Sequence, residues 1–453
     1  MNQRPNIVYL HGHDIGQHVG PLGFAVHTPN IQRLANDGVL FRNAHTAGPT
    51  CSTSRAALLT GQSPHNAGML GLNHRGFGLY DPSQHLATTL SRGGYETVIA
   101  GFQHVVQGDP AVLGYTTVLD RSDHHADAVM RSAVSWLEGY VTGDDDRPFF
   151  LDAGTFEAHR EFPELPAEAG RYVQPLPGLP DAPATRIDTA RFEAGIADFD
   201  RGVGQVLDAI DRLGLAESTI VICTTDHGPP FPRMKCNLTF AGTAVMLVMR
   251  GPAPWAGGKV VDQLVSNIDI YPTICDVAGI ERPVWLQGVS IEPLAADPST
   301  AVRDAHFAEI TYHAAYEPVR AIRTAHWTLI RRFDDYPHPV LPNCDEGESK
   351  TYLLEHGWEH TYLAPVQLYD NALDPLNQTN IIDDPQHASV AADLLARLDA
   401  WMIETDDPLR DGPVRLPVGG LTAPVDGRTP EGGLLQVAED GSFVPYTQVL
   451  AQF

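Results

Sequence analysis

Cysteine is scarce in this chain. Cys51, Cys223, Cys236, Cys275 and Cys344 are the only five in 453 residues, an odd number, widely scattered and without a Cys-x-x-Cys pair. Neither a disulfide framework nor a zinc knuckle is indicated, and a reducing cytoplasm is the expected compartment. Basic residues are also short, 30 Lys and Arg against 56 Asp and Glu for a net charge of −26, which argues against a nucleic-acid binder with its basic face. Long apolar runs are missing too. None approaches the roughly 20 residues that span a bilayer, and Met1–Pro5 runs straight into the strand-like Asn6–Leu10 without room for an export signal. No internal repeat is visible. What is present is 43% apolar and only 19% charged residues, the composition of a folded chain with a solvated acidic surface, long enough for two domains or one large domain with a satellite.

Short β-rich apolar runs alternate with amphipathic stretches over the first three hundred residues, the pattern of a mostly parallel sheet. Ile7–Leu10, Thr97–Ala100, Phe149–Asp152, Thr219–Cys223 and Ala244–Met249 read as central strands, flanked on both sides by Val, Ile and Phe. Ile196, Phe199, Val203, Val206, Leu207, Ile210 and Leu213 recur at helical spacing and predict a helix over Ala194–Leu213, closed by Gly214. A second unit begins within Pro293–His306, with strands near Ala321–Arg323 and Trp327–Arg332 and a helix over Ala388–Glu404. Beyond Asp411 the chain is rich in Gly and Pro without periodicity and is expected to wrap the surface or mediate contacts. The division is therefore 1–300 as an α/β catalytic domain, 301–411 as an α+β subdomain and 412–453 as an extension.

Three polar clusters follow apolar strands, where α/β enzymes place their sites. His11-Gly12-His13-Asp14 follows the first strand and Asp226-His227-Gly228 a later one; together they offer carboxylates and imidazoles for a divalent metal. Either cluster alone reads as a loop cap, and the pair shifts that balance. The third is Pro49-Thr50-Cys51-Ser52-Thr53-Ser54-Arg55-Ala56-Ala57-Leu58-Leu59-Thr60-Gly61, a loop entering a short helix that Gly61 stops. A cysteine at a helix N-terminus with Arg55 four residues on is expected to have its anionic form favoured, as a nucleophile or metal ligand. The bland alternative is a buried structural thiol, which is the reading given to Cys223, Cys236 and Cys275.

The Cys51–Gly61 string resembles the signature of the type I sulfatases of the alkaline phosphatase superfamily, whose cysteine is oxidised to formylglycine. Pro5-Asn6-Ile7-Val8, Thr28–Leu34 with Gly38–Phe41, and Leu368-Tyr369-Asp370 with Asp374-Pro375 are similar to that family as well. Asn66–Leu72, Pro230-Phe231-Pro232 and Glu404–Pro408 resemble its heparan N-sulfatase (sulfamidase) branch and bacterial relatives. The resemblance implies a large, mostly parallel mixed sheet sandwiched by helices, with a smaller α+β C-terminal domain that supplies part of the cleft. It implies a formylglycine-generating enzyme as maturation partner and one divalent metal at His13, Asp14, Cys51, Asp226 and His227, calcium in most members. The formylglycine hydrate from Cys51 would supply the attacking hydroxyl and Arg55 would hold it. His104 would help collapse the covalent sulfate intermediate, His159 would protonate the leaving group, and Lys235 would contact the sulfate oxygens.

Three departures from the family pattern matter. Imidazole at His13 and His227 suits zinc or manganese better than calcium. Phe102 stands where a lysine is usual, so Arg160, Arg233 or another cation would have to make up the charge. Thr53 replaces the proline preferred by the aerobic cysteine-modifying enzyme. The leading reading is hydrolysis of a sulfate ester or sulfamate; a phosphodiester or phosphonate monoester hydrolase, and a catalytically silent binding relative, are the alternatives. An acidic protein with a local cationic pocket built from Arg55, Lys235, Arg233 and Arg160 favours a short sulfated saccharide or a small sulfate ester over a long polymer. Tyr312, His313, His338 and His360 are candidates for lining the cleft, with specificity in loops 73–81 and 336–362. Oligomeric state is open, a homo-oligomer included.

Overall fold

The computed structural model describes residues 4–144 and 146–446. Nine strands form the main sheet: β1 (Asn6–Gly12), β2 (Val39–His45), β3 (Glu96–Gly101), β4 (Thr117–Val118), β5 (Phe149–Gly154), β6 (Thr219–Thr225), β7 (Ala244–Arg250), β8 (Lys259–Val261) and β9 (Val265–Ser266). Their order is β4-β3-β5-β1-β6-β7-β2-β8, with β9 on β2, and β7 alone runs antiparallel to both its neighbours. β1 shows why the sheet lies in the middle. All seven of its residues are buried; Ile7 and Tyr9 join one apolar cluster and Val8 and Leu10 the other, since successive side chains point to opposite faces. The first cluster is completed by Leu58 and Leu59, Leu86 and Leu90, and Ile270 and Ile274. The second is completed by Val129 and Leu137 from the Ala126–Thr142 helix and by Phe192–Ile210. The result is the helix-sheet-helix sandwich expected.

A four-stranded antiparallel sheet follows: β10 (His306–Tyr312), β11 (Tyr316–Arg323), β12 (Trp327–Arg332) and β13 (Val366–Asp370). The Ala388–Glu404 helix covers it through Ala391, Leu394 and Leu398. Two expectations need correcting. The long helix spans Pro183–Arg212 and so begins eleven residues earlier than the apolar periodicity does, because its first turns bury Thr185, Asp188 and Thr189. The segment beyond Asp411 is not merely a surface wrap. It forms β14 (Leu421–Thr422), β15 (Leu435–Val437) and β16 (Phe443–Pro445), and Leu416 and Val437 enter the main core. Among the described residues no helix is long and apolar enough to cross a membrane.

Candidate active site and metal centre

The site is built by four adjacent parallel strands, β3, β5, β1 and β6. Neighbouring strands lie about 4.8 Å apart, so residues just past their C-terminal ends are brought together. β1 delivers His13 and Asp14, and β6 delivers Asp226 and His227. The pairing continues past the strands, where the Asp14 amide donates to Asp226 Oδ1 at 2.9 Å. The segment after β5 joins β1 through His13 N to Glu157 O and Ala158 N to His13 O, both 2.6 Å, and so carries His159 in. Phe102, past β3, donates to Gly154 O at 2.8 Å and is followed by His104. Asp14, His104, Arg233 and Cys236 take left-handed φ of 58, 56, 68 and 64°, conformations that non-glycine residues adopt at a cost and that cluster at functional sites.

Cys51 opens the Cys51–Thr60 helix, every residue of which is buried. Thr50 stays extended as its cap, Thr53 Oγ1 donates to Thr50 O at 2.9 Å, and Gly61 closes the helix at φ 68°. Ser54 Oγ donates to Asp226 O, and Cys236 N to Pro49 O at 2.9 Å, which pins the helix start against the metal loop. His13, Asp14, Cys51, Asp226 and His227 each bring a ligand atom within 4.8 Å of the others, all five buried. The expected activation of the Cys51 thiol does not hold. Burial pushes it well above its ordinary value, Lys235 draws it down, and Asp14, Asp226 and Asp345 push it further up.

The donor chemistry fits a cation. His227 Nδ1 donates to Gly228 O at 2.9 Å, so in the neutral ring Nε2 carries a bare lone pair. That lone pair lies 3.1 Å from Asp14 Oδ1 and 3.7 Å from Asp226 Oδ2 and makes no hydrogen bond. Acceptors facing each other in a dry site repel unless something positive sits among them. His13 Nδ1 adds a fourth donor, 2.7 Å from Asp14 Oδ1 and 3.3 Å from Asp226 Oδ2, and burial holds this imidazole down at about 4, near the neutral form a ligand needs. Burial opposes charge on Asp14, yet Lys235 and the histidines hold it well below the usual carboxylate range.

Around this centre, Lys235 Nζ lies between Asp14 Oδ2 at 2.9 Å and Asp345 Oδ2 at 3.0 Å. Burial works against its charge and the two carboxylates win, raising it well above an ordinary lysine. His159 Nε2 is 4.0 Å from Asp14 Oδ2; burial and then Lys235 depress its pKa. Arg55, one helical turn past Cys51, reaches Asp226 Oδ2 at 3.1 Å. His104 Nε2 meets His74 Nδ1 at 3.2 Å. Phe102, in place of the usual lysine, packs 5.2 Å from the Arg55 guanidinium and 5.4 Å from the His13 ring.

Neither cation suggested as compensation joins the centre. Arg160 is bidentate on buried Asp188 at 2.8 Å and lies over the Phe162 and Phe231 rings, so its charge is spent. Arg233 is exposed and lines a cavity of about 1100 Å³ that opens beside Lys235, with Asn237, Trp358, Tyr362 and Gln378 on its walls. Of the cleft candidates, His313 is buried and its pKa is lowered by burial and then by Lys235. Tyr312 instead donates to Val414 O at 2.9 Å, His338 lies 3.2 Å from Thr361 O, and His360 is exposed. Sequence reasoning missed Asp345, which Lys235 holds down at about 2 against the effect of burial, and it missed His74. Only the loop position of each was a signal.

A second group of metal-type ligands, His65, Glu309 and Asp407, is already satisfied. Arg320 Nε and Nη2 pair with Asp407 at 2.6 and 3.0 Å, Nη2 reaches Glu309 Oε2 at 3.1 Å, and His65 Nδ1 lies 2.9 Å from the same Glu309 oxygen.

Residues 5–280 match the sulfatase family model, and residues 240–343 match the model for the C-terminal part of N-sulphoglucosamine sulphohydrolase. The chain belongs to the sulfatase family. It is 30% identical over 442 residues to human N-sulphoglucosamine sulphohydrolase, covering 85% of this chain and 87% of that protein. It is 24% identical over 465 residues to an ulvan-active sulfatase of Formosa agariphila, covering 89% and 76%. A protein solved in complex with its substrate D-glucosamine-2-N,6-O-disulfate superposes with a TM-score of 0.71 at 18% identity over 91% of this sulfatase chain and 99% of the other, which establishes the shared fold.

Proposed function

We propose that this sulfatase hydrolyses a sulfate ester or sulfamate on a small sulfated saccharide, at a formylglycine made from Cys51 by a formylglycine-generating enzyme. The observation that carries the reading is the buried convergence of His13, Asp14, Cys51, Asp226 and His227, flanked by Arg55 and Lys235. The human relative named for N-sulphoglucosamine and the glucosamine disulfate complex support the substrate class. Residues 1–300 form the catalytic unit, 301–411 the α+β unit and 412–453 the extension. All five thiols are free and buried, in keeping with a cytoplasmic setting.

Hydrated formylglycine would supply the attacking hydroxyl, and a divalent metal held by Asp14, Asp226, His227 and His13 would draw charge from the sulfuryl oxygens. Arg55 orients the nucleophile, since its Nε is buried without a partner and it shares a helix face with Cys51. Lys235 contacts a sulfuryl oxygen, and fixed cations aimed at developing negative charge are the largest catalytic lever in a dry site. His159 gives its proton to the departing oxygen or nitrogen. His104, set against His74, would take the proton of the second hydroxyl of the hydrate, so that the covalent sulfate intermediate collapses, the carbon–oxygen bond to sulfate breaks and the aldehyde is restored. The two imidazole ligands make manganese or zinc the resident metal in preference to calcium.

The same imidazoles, with Phe102 replacing a cation, favour phosphodiester or phosphonate hydrolysis as the second reading. Purified protein assayed against aryl sulfate, sulfamate, phosphate diester and phosphonate, with metal analysis of the same sample, separates the two. Preference for sulfate or sulfamate is expected; preference for diesters would overturn it.

A further inference from the structure

Behind the catalytic arginine lies a buried chain of polar side chains that takes no part in metal binding. Arg55 Nη1 donates to His11 Nδ1 at 2.6 Å, and Arg55 Nη2 donates to Gly12 O at 3.2 Å and Asp226 Oδ2 at 3.1 Å. On its far side His11 Nε2 meets Asp152 Oδ1 at 2.8 Å, and the Tyr115 hydroxyl donates to Asp152 Oδ2. Arg55, His11, Asp152 and Tyr115 are 3, 3, 1 and 4% exposed, so no solvent can exchange for any of these partners.

The protons in this chain can be placed by elimination. A guanidinium has only donors and stays charged, so His11 Nδ1 must present its lone pair. The ring is therefore neutral with its proton on Nε2, which Asp152 accepts. The ring cannot turn away, being stacked on Tyr9 at 4.6 Å and pressed against Gly154, where a Cβ would fall 2.2 Å from His11 Cε1. Were the proton on Nδ1 instead, N–H would face N–H at 2.6 Å and the guanidinium would be driven from its seat.

We propose that His11 is a positioning residue for Arg55, locked in its Nε2–H tautomer by Asp152 and Tyr115, so that this relay fixes the guanidinium orientation on which turnover depends. The kinetic half rests on the sulfatase reading above; the tautomer half does not.

Asp152→Asn tests it with little change of shape. The Tyr115 hydroxyl claims the amide oxygen, the amide NH2 faces His11 Nε2, and the ring is pushed to the Nδ1–H form. Partners that orient an active group are typically worth 10- to 100-fold, so kcat on aryl sulfate falls by that factor while KM moves less than threefold. His11→Asn retains an acceptor where Nδ1 stood and keeps at least tenfold more kcat than His11→Leu at matched melting temperature, a difference that a merely structural role would not produce. Ring ¹⁵N shifts, with His11 identified by its loss in His11→Asn, show Nε2–H in the wild type and Nδ1–H in Asp152→Asn. An Nδ1–H ring in the wild type, or kcat within twofold of wild type in both Asp152→Asn and His11→Leu, overturns the proposal. A wild type without sulfatase turnover whose ring still switches in Asp152→Asn supports the relay and refutes the sulfatase reading instead.

Discussion

His85 couples stability to pH in a way that one substitution can isolate. It caps the Leu86–Arg92 helix, its Nδ1 accepting from Ala87 N at 3.2 Å, so the ring must be neutral and protonated on Nε2. That second nitrogen is buried without a partner and the residue is 0% exposed. Burial lowers its pKa to about 4 from 6.5, with Asp152 pulling weakly the other way. Because the folded pKa is depressed, the unfolded chain binds the extra proton first as pH falls. The contribution is fully present above 6.5 and is lost progressively between 6.5 and about 4. At pH 5 the unfolded group lies 1.5 units below its pKa and is almost wholly protonated while the folded one is not; at about 1.4 kcal/mol per unit this costs about 2 kcal/mol.

His85→Asn replaces the Nδ1 acceptor with an amide oxygen, a favoured cap, and removes the titration. Urea unfolding of both proteins from pH 7.5 to 5 should therefore show the wild type losing about 2 kcal/mol more than the variant. The gap between the two therefore changes by about 2 kcal/mol over this range, whatever its value at pH 7.5. Parallel curves over the whole range would refute the burial argument, because they would mean that His85 titrates alike in the folded and unfolded chain.

Other outcomes follow from the site and its supports. Arg55→Lys replaces a fork that holds three partners with a single ammonium, and kcat should fall about 100- to 1000-fold, the loss seen on removing one donor that stabilises developing charge, with metal content unchanged. His227→Ala removes the lone pair that demands a cation, so the purified variant should lose its metal on dialysis where the wild type keeps it, as read by elemental analysis. Arg320→Met strands the buried carboxylates of Glu309 and Asp407, and the denaturation free energy should drop by about 3 to 5 kcal/mol, the cost of breaking a buried pair.

How much of this was legible in the sequence differed by element. β1, β3, β5, β6 and β7 and the Ala388–Glu404 helix were readable because each buries a regular apolar pattern. The start of the Pro183–Arg212 helix was not, because it buries polar groups that find distant partners, Asp188 pairing with Arg160. β14–β16 are too short, and too interrupted by glycine and proline, to show alternation. In the site, His13, Asp14, Asp226 and His227 were legible because strand ends in a parallel sheet converge, and Cys51 because of its motif. Asp345, His74 and the His11–Asp152 link depend on contacts across the fold, where no local period marks which loop turns inward. Arg160 and Arg233 show the converse. Proximity in sequence to functional residues does not say which way a long side chain points.

The central claim is that Cys51 is the nucleophile's precursor beside a transition metal. Mass spectrometry of the Cys51 peptide from active protein, with metal analysis of the same sample, tests it most directly. The account predicts an aldehyde in place of the thiol at Cys51, manganese or zinc bound, and turnover of sulfate or sulfamate abolished in Cys51→Ala. An unmodified thiol at Cys51 in fully active protein, with Cys51→Ala equally active, would contradict it.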